Sequence, residues 1–85
     1  MKHAGPETIA RLETLRALLR RRDGLRERRP GVFHLKSRSF LHFHEDPAGV
    51  FADVKLGDEF QRFRVTTQRE QRALVRRIDE HLSRG

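Results

Sequence analysis

The chain contains no cysteine. That absence excludes disulfides, thiolate catalysis and Cys-ligated zinc or iron–sulfur centres, and it leaves His, Asp and Glu as the side chains able to hold a metal. A long hydrophobic run is missing too. The N-terminal stretch "MKHAGPETIARLETLRALLRRR" lacks the apolar core of roughly 7 to 15 residues that marks a signal peptide. No window approaches the roughly 18 apolar residues of a membrane span, so a cytoplasmic protein without membrane contact is expected. Repeats, heptad arrays and low-complexity linkers are absent as well. With 85 residues the chain has room for one domain, residues 1–85, and one small core. A domain of this size gains from a partner, and a homo-oligomer is one way to supply it.

What the chain has in excess is positive charge, with a formal net of +7. Residues 1–30 hold nine Lys or Arg against four Asp or Glu, whereas residues 31–65 hold five of each. The excess therefore sits toward the ends of the chain. Arg greatly outnumbers Lys, a bias that a GC-rich gene produces as readily as phosphate recognition does.

The pattern of apolar residues divides the chain into helix, strands and helix. Over residues 6–22, Ile9, Leu12, Leu15, Leu18 and Leu19 recur at spacings of three and four, the stripe of an amphipathic helix. Pro6 suits its first position, Glu7 the positive end of its dipole, and Gly24 its stop. The segment "LRERRPG" reads as a break, because the residue before Pro30 is biased away from helix and Gly31 permits a turn. From Val32 the period becomes two, giving strands over about 32–36, 39–44, 49–56 and 60–65, with turn compositions between them. Ser37 and Ser39 belong to the first of those turns. A second helix over about 67–83 opens on a capping box of Thr67 and Glu70 and carries Leu74, Val75, Ile78 and Leu82 on one stripe. The expected fold is α+β: an N-terminal helix, an antiparallel meander of three to four strands, and a C-terminal helix, both helices on one face of the sheet.

Strand alternation assigns the faces. Leu41 and Phe43, with Val50, Ala52, Val54 and Leu56, should lie under the helices. The opposite face then collects His34, Lys36, Phe40, His42, His44, Phe51, Asp53 and Lys55. Two readings concern that face and a third concerns the basic segment before it. The leading one is a non-enzymatic binding or interaction surface, centred on His34, Phe40, His42, His44, Phe51 and Asp53, through which two copies self-associate. The second is chemical: His-x-His on a strand sends two imidazoles to one side, and Asp53 could add an oxygen ligand for zinc or ferrous iron, or orient a histidine for acid–base work. No nucleophile motif, phosphate-cradling glycine loop or oxyanion arrangement accompanies it, so a divalent metal is compatible with the pattern while no cofactor is singled out. The third is nucleic-acid binding through the basic segment "RRRDGLRERR", with Arg20, Arg21, Arg22, Arg26, Arg28 and Arg29 as phosphate contacts; RNP-type and KH-type motifs are absent.

The run "FHLKSRSFLHFHEDPAGVFADVKL", residues 33–56, resembles the central block of the small bacterial domains known as the luciferase domain family. The resemblance is carried by Phe33, Arg38, His42, His44, Gly49, Ala52 and Asp53, about a quarter of the chain, and implies a small α+β domain without implying light emission. The order of a helix and "RDGLRERRPG" ahead of the strands is also similar to MmcQ/YjbR-like domains, a likeness that would imply DNA binding by a double-wing motif.

Overall fold

The computed structural model describes residues 1–84, and its elements follow the expected order with three additions. A short strand β1 (Lys2–His3) precedes helices α1 (Pro6–Arg11) and α2 (Glu13–Arg20). Strands β2 (Leu25–Arg29), β3 (Val32–Leu35), β4 (Arg38–Asp46), β5 (Gly49–Lys55) and β6 (Phe60–Arg64) then run to helix α3 (Gln68–Ser83). The fold is α+β, an antiparallel meander in the order β2-β3-β4-β5-β6, and β1 pairs with β4 alongside the end of β3.

The first addition is a break in the N-terminal helix. A single helix over 6–22 was expected, but it divides at Leu12, where φ is −90° and ψ is 13°. Leu12 N–H is shared between the Thr8 and Ile9 carbonyls, and the Arg16 guanidinium donates to the Ile9 carbonyl at 3.1 Å. A side chain from the next turn thus satisfies a carbonyl near the break.

The second addition is β2. Its sequence, LRERR, reads as a charged loop, yet Leu25 and Glu27 turn toward α2 while Arg26 pairs with His34 on the other face. What conceals the strand from a hydrophobic pattern is that its second inward residue is a carboxylate. Glu27, whose side chain is only 8% exposed, accepts from Arg16 Nε at 2.6 Å, from Arg20 and from Gly31 N–H at 2.7 Å. Burial alone would raise the Glu27 carboxyl; these donors outweigh it and hold the group below the usual carboxylate range. Gly31 sits at φ +81°, and a Cβ there would collide with the Ile9 side chain. The turn at residues 30–31 therefore needs glycine twice over.

One core joins the layers. Ile9, Leu12, Leu15 and Leu19 from the N-terminal helices and Leu74, Val75 and Ile78 from α3 meet Phe33, Leu41, Phe43, Ala52 and Val54 of the sheet. Each such large side chain contributes about 1.5–3 kcal/mol on burial. At the start of α3, Thr67 and Glu70 form the reciprocal capping box expected of them. Arg22 ties α2 to α3 by donating twice to Asp79, at 2.9 and 3.0 Å. No helix among the described residues is long and apolar enough to cross a membrane.

The third addition, β1, pairs with β4 through its backbone and is followed by a link that Glu45 holds. This residue pairs opposite Lys2 and its carboxylate accepts from the Gly5 amide and from the Thr8 hydroxyl, the latter at 2.9 Å. The donors hold its carboxyl below the usual range. The backbone pairing of β1 with β4 places His3 directly opposite His44.

Candidate metal centre

The helices cover one face of the sheet, and the other is open. Neighbours in register share a face, so the pairs His3↔His44, His42↔Asp53, His44↔Phe51 and Asp53↔Arg62 bring three imidazoles, a carboxylate and a guanidinium together. Ring centroids of His3 and His44 are 4.5 Å apart, those of His42 and His44 are 4.9 Å apart, and those of His3 and His42 are 5.9 Å apart. The Phe60 ring stands edge-on to His42 at 5.1 Å. Asp53 is 8% exposed and lies at the centre, its Oδ2 3.8 Å from His42 Nε2 and 3.6 Å from His44 Nε2.

Two features define the electrostatics. Arg62 donates to both oxygens of Asp53, at 2.7 and 2.8 Å, and this paired donation holds the carboxyl below its ordinary value. Burial pushes both His42 and His44 down, and the neighbouring cations add to it while Asp53 opposes it. Both imidazoles are therefore mainly neutral near pH 7, the form that offers a lone pair. Neither nitrogen of His44 has a hydrogen-bond partner, although both are buried. The separations to Asp53 exceed hydrogen-bond range, so the carboxylate attracts His44 without satisfying it.

His42, His44 and Asp53 each place one donor atom within 4.8 Å of the other two. Four-coordinate zinc with bonds of about 2.0–2.1 Å separates its donors by about 3.3 Å. The nitrogen-to-oxygen distances, 3.8 and 3.6 Å, are thus within about half an ångström of that spacing. His3 lies outside this set of donors, with its ring centroid 4.5 Å from that of His44.

Of the six residues expected on the binding face, the structure gathers His42, His44, Phe51 and Asp53 and puts His34 further along the same face, opposite Arg26. Phe40 is a correction. It is 2% exposed within the core and stacks on His81 of α3 at 6.1 Å. The cause is a bulge: Phe33 pairs with Leu41 but His34 pairs with Ser39, so Phe40 is an extra residue in β4 and the alternation restarts around it.

The six arginines expected to track phosphates are not brought together. Arg20 is paired with Glu13 and Glu27, and Arg22 with Asp79. Arg21 is exposed at the end of α2, Arg29 pairs with Val32, and only Arg26 and Arg28 line a common depression. His3, Phe60 and Arg62 are the site residues that the sequence did not reveal. Alternation in "FQRFRV" puts Phe60 and Arg62 on one face, which would have found them once the β5–β6 register was known. A two-residue strand carries no periodic signal, and nothing in the sequence places His3.

No protein-family model matches this chain, and neither a curated protein nor a solved structure matches it.

Proposed function

We propose that this is a small binding domain whose open sheet face takes a divalent transition metal, zinc being the best fit, through His42, His44 and Asp53 with His3 at hand. The observation that supports the reading most is His44, held buried with two unpartnered nitrogens beside an ionised carboxylate. Leaving a buried polar group unmatched costs about 1–3 kcal/mol, and coordination by a cation would remove that cost at one of the two nitrogens. Arg62 would keep its place as the group that orients the ligating carboxylate. Three protein donors leave a coordination position for an outside ligand.

Native mass spectrometry with zinc, before and after chelator, tests this. One zinc per chain is expected, lost on His42→Ala and on His44→Ala while both variants keep the circular dichroism of the parent. A chain that takes up no zinc under any of these conditions refutes the reading.

Self-association through the same face is a second reading, favoured by Phe60, which is 42% exposed beside His42. The same spectra report subunit number. Phe60→Asp should give monomer and leave zinc uptake intact, and Phe51→Asp should act the same way; an unchanged mass in solution removes this reading alone.

A further inference from the structure

The other end of the open face holds a second, chemically different feature. Arg26, Arg28, His34, Lys36, Ser37 and Gly24 line a depression of about 510 Å³, with no carboxylate among them. Cross-strand pairing of Arg26 with His34 puts a guanidinium and an imidazole side by side on the sheet. Arg16, Arg20, Arg22, Arg62 and Arg64 each bond a carboxylate, whereas among the described residues Arg69, Arg72, Arg76 and Arg77 of α3 bond none and line no depression with a buried imidazole. Among the described residues Arg26, Arg28 and Lys36 have no such partner in any hydrogen bond or ion pair of the structure. Like charges brought together without a counter-charge repel, and the repulsion is relieved by an anion.

Two further observations concern residues that line the same depression. The Nδ1 of His34 is buried and has no hydrogen-bond partner. The turn between β3 and β4 is made by Lys36 at φ +52° and Ser37 at φ +71°, a left-handed pair at which glycine or asparagine is the ordinary choice. Holding two side-chain-bearing residues there strains the backbone, a strain associated with functional positions, and both residues line the depression.

From these observations we infer that the depression binds the phosphate group of a small phosphorylated ligand. Two guanidiniums and an ammonium are opposite in charge to a phosphate and more than neutralise it, the guanidiniums can each donate two parallel hydrogen bonds, and the imidazole and hydroxyl can complete the shell. The volume suits a ligand of nucleotide size, since small-molecule sites usually span roughly 300–1,000 Å³. This inference does not rest on the metal reading, which uses other residues and strands.

The test is a titration of the ¹⁵N-labelled chain, kept metal-free with chelator, with pyrophosphate, then adenosine monophosphate, then a single-stranded oligonucleotide, all at one ionic strength. Saturable shifts at the amides of Gly24, Arg26, His34, Lys36 and Ser37 are expected with the first two, together with a shift of the His34 imidazole nitrogens. Arg26→Gln combined with Lys36→Gln should weaken both by at least about tenfold, while Arg72→Gln on α3 should change nothing. Shifts that fail to saturate, or that fall equally on the arginines of α3, identify non-specific anion attraction and overturn the proposal. Oligonucleotide binding that is far tighter than pyrophosphate and indifferent to the double variant overturns it as well.

Discussion

The two faces of the sheet each hold a buried carboxylate gripped by arginine, and they differ in what surrounds it. Under α2, Glu27 receives Arg16, Arg20 and the Gly31 amide, so its oxygens are matched. On the open face, Asp53 receives Arg62 and lies near two histidines, and His44 is left with both nitrogens unmatched. The inner arrangement is complete without any other molecule. The outer one is complete only for Asp53, and the shortfall at His44 is what distinguishes a site that could take a ligand from one that only holds the fold.

Breaking the inner network should have the largest effect. Glu27→Ala removes the acceptor of two guanidiniums and an amide, one of them the 13%-exposed Arg16, and should destabilise the domain by about 3 kcal/mol in chemical denaturation. Glu27→Gln, which keeps an acceptor, should lose less. If Glu27→Ala is as stable as the parent, the inner network is not structural and the contrast between the faces fails.

The outer cluster should respond with the opposite sign. His44→Phe removes two unmatched buried nitrogens while keeping a ring beside His3, so the apo protein should be unchanged or more stable by about 1 kcal/mol. Zinc uptake should be lost in the same variant. A destabilisation comparable to that of Glu27→Ala would place His44 with the structural residues.

How far the sequence reveals this contrast can be traced residue by residue. The apolar stripe of α3, its capping box and the alternation in β4 and β5 carried the fold, because each is a local pattern with one structural reading. Strand β2 escaped because its inward position is Glu27, whose burial depends on Arg16 and Arg20 eleven and seven residues away. The break at Leu12 escaped because apolar spacing persists straight through it. His42, His44 and Asp53 were legible as a set, since period-two spacing and a short β4–β5 connection suffice to align them. Phe40 was misassigned because a bulge is set by the pairing with the partner strand, and His3 was invisible because a two-residue strand carries no periodic signal. Long-range polar contacts account for most of what was missed.

The smallest expected effect is on the pH dependence of stability, and it separates the two faces without any mutation. His42 and His44 have folded values below the ordinary 6.5 because burial disfavours their charged forms. As pH falls below about 6.5 the unfolded chain takes up protons that the folded chain refuses, so stability declines until the folded imidazoles are protonated too. Glu27 and Asp53, both held below their ordinary values, contribute stability that is present above the usual carboxylate range and lost only as pH falls through their folded values. Denaturation midpoints should therefore fall in two stages, one beginning near pH 6.5 and one in the acid range. In His42→Phe/His44→Phe protein the first stage should shrink and the second remain. Zinc should steepen the first stage in the parent, because coordination requires the same neutral imidazoles that protons remove. A parent profile that is flat from pH 7 to the carboxylate range would show that the open-face histidines are solvated like any surface residue, and the contrast with Glu27 would then rest on Asp53 and Arg62 alone.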